Sequence, residues 1–291
     1  MKVLILGASG MLGHKLYQVF KKRFEVFVTI RGNFSRVENI GLFEKENLFE
    51  NIDVENIEQV SNIVEKIEPE YLINCVGIIK QLPVSKEIVK VLNINAVLPH
   101  QLAEIADKFN SKLITISTDC VFNGEKGMYS EEDFPDATDL YGKSKHLGEV
   151  TVGNHLTLRT SIIGRELKTS HSLVEWFLSN QGKKVRGFSN AIYSGFPTII
   201  FAEILSDLML NHKELIGLFH VSSEPIDKYE LLVLVKKHFQ IEVEIEKFED
   251  FYIDRSLDSS IFRQITGFQP QSWDEMIKKM AEDNKFYSER D

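Results

Sequence analysis

"KVLILGASGMLGHKLYQVF", residues 2–20, decides how the rest of the chain reads. KVLIL (2–6) is a short unbroken apolar run that ends in glycine, the pattern of a strand buried on both faces. From Met11 onward, Leu12, Leu16, Val19 and Phe20 recur at helical spacing, predicting a helix over 11–24. Between strand and helix stand Gly7, Gly10 and Gly13, in the pattern G-x-x-G-x-x-G. A glycine at a strand end permits a tight turn and a close approach of backbone to a pyrophosphate. The helix that follows offers unbonded N–H groups and a partial positive charge. Gly7, Ser9, Gly10, Met11, Leu12 and Gly13 are therefore the first candidate dinucleotide contacts, against the alternative of a purely structural turn.

The same alternation continues outward. EVFVTI (25–30) reads as a second strand, and residues 32–52 show no regular period. NIEQVSNIVEKI (56–67) is helical, YLINCV (71–76) a strand, NAVLPHQLAEIADKF (95–109) a helix and KLITIS (112–117) a strand. Residues 139–151 are helical and HLTLRTSI (155–162) strand-like. The predicted fold class is α/β, a Rossmann-type doubly wound parallel sheet with a smaller mixed α/β C-terminal lobe. The expected division is 1–165 for the NAD(P)-binding domain and 166–291 for the substrate lobe. The boundary is soft, with room for later segments to return to the first domain. The polar end NKFYSERD (284–291) is expected to fray.

Composition narrows the function. The 291 residues carry a formal net charge of -9, which argues against nucleic acid or an anionic membrane as partner. The two cysteines, Cys75 and Cys120, lack metal-ligand spacing and read as thiols of a reducing cytosol, with no metal expected. The opening MKVLILGASG has too short an apolar run for a signal peptide, and no run is long enough for a membrane span. The expectation is a soluble cytoplasmic protein acting on a small molecule, with a homodimer as the candidate assembly.

The second strand bears on the choice of cofactor. An acidic residue at its end would suit NAD. Here Arg31 stands there, with Ser35 and Arg36 nearby, and a cation suits a 2′-phosphate. NADPH is the expected cofactor and NADH the second choice; the competing reading of Arg31 is a solvated edge residue. Asp53, with its neighbour Val54, is placed to meet the adenine, or else Asp53 caps the helix that follows. Val76 and Gly77, at the end of the fourth predicted strand, are expected where backbone passes close to the cofactor.

The fifth strand ends in ITISTDCVFNG, putting the hydroxyls of Ser117 and Thr118 at the sheet edge where open α/β folds bind ligands. Next come Tyr141 and Lys145, one helical turn apart on one face. Tyr17 and Lys21 show the same spacing, but in the later turns of the first helix, which point away from that edge. Asn95 is expected at the start of the helix after strand four, as a cap or as a site residue.

The segments ILGASGMLG, LNINAVLPHQLAEIA, STDCVFNG, YGKSKHLGE, LRTSIIG, SGFPT and RSLDSSIFRQITGFQPQSW together resemble the extended short-chain dehydrogenase/reductases, and within them the dTDP-4-dehydrorhamnose reductases and related nucleotide-sugar 4-ketoreductases. The resemblance implies roles. Tyr141 is the general acid for the reduced carbonyl oxygen. Lys145 binds the nicotinamide ribose and lowers the tyrosine pKa. Thr118 holds the carbonyl oxygen, and Asn95 supports the lysine through backbone or water. Dehydratases of this fold carry Asp-Glu after the threonine. Here Asp119 is followed by Cys120, which argues against dehydration; epimerases of this fold hold NAD and recycle it, and Arg31 argues instead for an exchanging reductant. The implied substrate is a nucleotide-bound 4-keto-6-deoxyhexose, either a dTDP sugar or a UDP-linked N-acetylhexosamine, on the way to cell-surface polysaccharide. Asp119 and Cys120 are expected near it, with Arg186 and Arg255 as candidate diphosphate cations or ordinary surface arginines. An epimerase or dehydratase of the same fold, and a non-catalytic cofactor-binding subunit, are the alternatives.

Overall fold

A computed structural model describes residues 1–288. The first half alternates strand and helix: β1 (Lys2–Leu6), α1 (Met11–Phe20), β2 (Glu25–Thr29), β3 (Leu48–Phe49), α2 (Ile57–Ile67), β4 (Tyr71–Asn74), α3 (Ile88–Leu92), α4 (Leu98–Lys108), β5 (Lys112–Thr118), α5 (Leu140–Leu147) and β6 (Leu156–Thr160). The remainder contains β7 (Ile162–Ile163), α6 (Leu173–Leu178), β8 (Lys184–Phe188), β9 (Ala191–Tyr193), β10 (Phe196–Pro197), α7 (Thr198–Asn211) and β11 (Gly217–His220). It closes with β12 (Ile226–Asp227), α8 (Lys228–Phe239), β13 (Glu244–Phe248), β14 (Ile253–Asp254), α9 (Ser260–Thr266), α10 (Trp273–Glu282) and α11 (Lys285–Ser288). Of the stretch expected to fray, Lys285–Ser288 are this last helical turn, and 289–291 lie outside the described residues.

Seven strands form one sheet in the order β11-β6-β5-β4-β1-β2-β3, and every pairing from β5 through β3 is parallel. The order reverses between β1 and β4, so the crevice beyond their carboxyl ends is the switch point of a doubly wound sheet. Contacts divide the chain into two compact units. One contains 1–117, 138–158 and 202–218; the other contains 118–137, 159–201 and everything from Phe219. In the first unit Leu4, Leu6, Leu72 and Leu113 pack against Val60, Val64, Leu98 and Leu102 from α2 and α4. The second carries three small sheets, β10-β7, β12-β9-β14 and β13-β8.

Local signals explain the element ends, and some differ from the sequence-based expectation. α1 stops at Phe20 rather than 24, its cap N–H reaching Tyr17 O. Residues 32–52 contain three 3₁₀ turns and the two-residue β3. α2 is capped by Asn56, whose side chain accepts from Gln59 N, and not by Asp53. The helix predicted at 95 in fact begins at Ile88. It runs through a π-helical turn, Asn93–Val97, before α4. Asn95 is thus mid-helix and no cap. α5 is shorter than 139–151. It opens on Asp139, whose carboxylate accepts from Gly142 N, and closes at Leu147.

Candidate functional site

In the first unit, the turn after β1 is built around Gly7, whose φ of +80° favours glycine. Gly10 N donates to Gly7 O at 3.1 Å, closing the turn. Gly13 packs so tightly on it that a Cβ would stand 2.8 Å from Ala8 Cα and closer still to the Gly7 carbonyl oxygen. A Cβ on Gly7 would meet the Val76 side chain at 2.9 Å, so the loop after β4 lies against the turn. Ser9 and Gly10 are exposed, and Gly10 caps α1 with no side chain. By helix geometry the N–H groups of Met11, Leu12 and Gly13 have no carbonyl within the helix, and no acidic residue occupies this first turn. That donor set fits a dinucleotide pyrophosphate.

Arg31 lies exposed two residues past β2. Thr29 ties this strand end to the turn, its hydroxyl accepting from Gly7 N and its carbonyl from Ala8 N. Asp53 is exposed and accepts from Glu55 N, while Val54 is buried in the core cluster. Gly77 sits in the loop beyond β4, not at the strand end, and a Cβ there would meet only Asn95 Oδ1, at an ordinary 3.5 Å. Nothing in the protein itself demands glycine at this position.

Asn95 is buried. Its side chain accepts from Ile78 N at 2.8 Å, and donates to Ile78 O at 2.9 Å and to Ser144 Oγ at 3.2 Å. It clamps the loop after β4 to α5 and acts on the lysine's helix through Ser144. The π turn is what directs this side chain, since it places one extra residue in the helix beside the loop. Lys145 Nζ donates to Ile116 O of β5 at 2.7 Å. Burial lowers its pKa to about 8, against the opposing pull of Glu149 and the Cys75 thiol. Burial in turn pushes the Cys75 thiol up. Tyr141, half-buried in the first turn of α5, carries the Lys80 ammonium 5.5 Å from its ring centre, and Lys80 pairs with Asp139 at 2.9 Å. Ser117 Oγ donates to Glu149 Oε1 at 2.7 Å.

Tyr17 and Lys21 serve another purpose. Tyr17 is buried, its hydroxyl accepting from Glu44 N, and Lys21 donates to Leu42 O and lies over the tyrosine ring. They fasten α1 to the loop that carries Phe43, which packs on Tyr17.

In the second unit, Thr118 Oγ1 donates to Asp119 Oδ1 at 3.0 Å and accepts from Cys120 N at 3.1 Å. Asp119 is buried, and burial raises its pKa despite the Thr118 bond and the nearby Arg255. Arg255 donates to Phe122 O at 2.8 Å and reaches Cys120 Sγ at 4.0 Å, so Thr118, Asp119, Cys120 and Arg255 form one cluster. Arg186 is elsewhere: exposed on β8, it lies over the Phe248 ring of the paired β13.

Sequence reasoning passed over Lys80, Asp139, Ser144 and Glu149. Two of them carry local signals, because Asp139 three residues before a glycine at a helix start is a cap pattern and Glu149 stands four residues after Lys145.

The sequence profile described as RmlD substrate binding domain matches residues 1–286. The chain belongs to the RmlD substrate binding domain family. Within curated proteins, this RmlD-family chain is 24% identical over 309 residues to the dTDP-4-dehydrorhamnose reductase of Aggregatibacter actinomycetemcomitans, covering 96% of this chain and 98% of that one. It is 27% identical over 253 residues to methionine adenosyltransferase 2 subunit beta of Danio rerio, covering 82% and 74%. Among solved structures, a hypothetical dTDP-4-dehydrorhamnose reductase from Sulfolobus tokodaii superposes with a TM-score of 0.77 at 28% identity, covering 94% of this chain and 98% of that one. Among the described residues, no helix is long and apolar enough to cross a membrane, and no three or more His, Cys, Asp or Glu side chains are grouped as metal ligands would be.

Proposed function

We propose that this protein is an NADPH-dependent reductase of the C4 ketone of a nucleotide-linked 4-keto-6-deoxyhexose, supplying a precursor of cell-surface polysaccharide. The observation that carries the reading is the setting of Lys145: its ammonium is fixed on the Ile116 carbonyl near the carboxyl end of β5, one helical turn after Tyr141, in a unit that opens on a tight glycine turn. The likeness to dTDP-4-dehydrorhamnose reductases along nearly the whole chain supports the substrate class.

NADPH supplies the hydride for C4 when bound. Gly7 to Gly13 and the start of α1 hold its pyrophosphate, and Arg31 holds the 2′-phosphate. Lys145 binds the nicotinamide ribose and favours ionisation of Tyr141, whose hydroxyl gives its proton to the ketone oxygen. Thr118 donates a hydrogen bond to that oxygen, exchanging its bond to Asp119 for one to the substrate. Arg255 is the cation for the diphosphate. The Arg186 side chain, stacked on Phe248, favours a structural part. Cys120, in place of a second carboxylate after Asp119, weighs against dehydration. The likeness to a methionine adenosyltransferase subunit beta supports a second reading, a cofactor-binding regulatory subunit. A pure subunit has no use for the Tyr141 hydroxyl.

Two measurements test the proposal. NADPH oxidation is followed against a panel of dTDP- and UDP-linked 4-keto-6-deoxy sugars, with product configuration read by NMR. Turnover with at least one is expected, and none with any would favour the regulatory reading. In the second, Arg31→Ala is expected to weaken NADPH by about tenfold or more while leaving NADH within about twofold, the loss of one charged phosphate contact. Equal weakening of both would remove Arg31 from the 2′-phosphate.

A further inference from the structure

Glu149 is buried beyond the end of α5 yet holds two polar partners from different elements. Ser117 Oγ of β5 donates to its Oε1 at 2.7 Å, and His146 Nδ1 of α5 lies 2.9 Å from its Oε2. Burying a carboxylate is costly unless it is paired, so a buried one at this position calls for a reason. Its electrostatic neighbour is Lys145, four residues before it, whose ammonium is turned in toward the Ile116 carbonyl. The groups around that ammonium come from three elements. They are the Ile116 carbonyl from β5, the Cys75 thiol from the residue after β4, and Glu149 beyond the lysine's own helix. The π turn packed against α5 presents the uncharged Asn95, which bonds Ser144. Ile116, whose carbonyl takes the Lys145 ammonium, and Ser117, whose hydroxyl holds Glu149, are consecutive residues of β5, so the carboxylate and the ammonium are anchored to the same point of the strand.

We propose that Glu149 is a positioning residue for Lys145: it fastens the end of α5 to β5 through Ser117 and sets a buried negative charge beside the ammonium. This deepens the reductase reading above and rests on it for its catalytic meaning. Burial opposes the charge on Lys145, and Glu149 restores part of it. With the carboxylate neutralised, the lysine loses its proton at lower pH, and the ribose contact and the push on Tyr141 go with it.

The test reads the lysine directly. Competitive labelling of amines with acetic anhydride across a pH series, quantified on the Lys145 peptide by mass spectrometry, gives its titration midpoint with no substrate needed. The midpoint of the unaltered protein is expected at about 8. Glu149→Gln is isosteric and its amide oxygen still accepts from Ser117. It should lower the midpoint by about one pH unit, and Glu149→Asp, which pulls the charge back by one methylene, by about half a unit. The alkaline fall of kcat should move down in the same order. Equal midpoints in all three proteins would overturn the inference. If Glu149→Gln does not fold, the Asp variant alone decides it: a lowered midpoint supports the role and an unmoved one overturns it. A graded shift in a protein that reduces no ketone supports the placement of Glu149 and counts against the reductase reading, so the two fail separately.

Discussion

The Tyr141→Phe protein is expected to bind NADPH within about twofold of the unaltered protein and to reduce its ketone substrate about 10²- to 10⁴-fold more slowly, the usual worth of a positioned general acid. That is about 3 to 5 kcal/mol of barrier. The reason is local. Tyr141 sits in the first turn of α5, capped by Asp139, with Lys145 one turn on and held to β5. Phenylalanine keeps the ring, and with it the packing and the contact with Lys80, and removes only the proton donor. Cofactor affinity should survive, since the turn after β1 is untouched. Fluorescence titration with NADPH, beside single-turnover hydride transfer, separates the two. A kcat within tenfold of the unaltered enzyme would remove Tyr141 from the proton-transfer step. A parallel loss of NADPH binding would mean the side chain holds cofactor instead.

The second large effect is expected at Gly13. The first turn of α1 lies directly on the Gly7–Ala8 backbone, and an added methyl would enter space held by main chain, which has no rotamer to yield. Gly13→Ala should cost about 2 kcal/mol by overpacking, lowering the melting temperature by about 3 °C in a chain of this length. The same displacement turns the N–H groups at the start of α1 away from a bound phosphate. NADPH affinity should fall by about tenfold to a hundredfold, the equivalent of one charge-assisted hydrogen bond. Calorimetry with and without NADPH checks both, because the variant should melt lower alone and gain less from the cofactor. A variant with ordinary stability and ordinary affinity would show that the turn yields at no cost and is no cradle.

The doubly wound sheet was legible because its strands are written as plain apolar runs: KVLIL and YLIN are buried along nearly their whole length, and burial on both faces leaves no other pattern. Tyr141 and Lys145 stand out in the sequence by position and not by spacing, since the pair Tyr17 and Lys21 has the same spacing, and the roles proposed for Tyr141 and Lys145 rest on that position. Tyr17 and Lys21 spend the same geometry on Glu44 N and Leu42 O. Asn95 was placed a turn and more from its true setting. The helix starts at Ile88 and Val89, exposed apolar residues that break the amphipathic stripe, and a π turn carries no sequence signature of its own. Partnerships across the chain were hidden too. Nothing near Arg186 in sequence announces Phe248, and nothing near Ser117 announces Glu149. Such pairs are set by strand order and helix docking, which a one-dimensional pattern does not encode.

The π turn at Asn93–Val97 also sets the phase of everything before it. An α-helix advances about 100° per residue, so the extra residue rotates Ile88–Leu92 by about that angle relative to Leu98–Lys108. Deleting any one residue between 93 and 97 would anneal the two segments into a continuous helix, and it would swing either the Val91 side out of the core or the Asn95 side away from Ile78. Substitutions here are a matter of chemistry; insertions and deletions are a matter of arithmetic. A change of length in this part of the chain is expected to be tolerated only in the loop of residues 79–87, because the number of residues from Ile88 to Lys108 fixes which side chains face the core and which face Ile78.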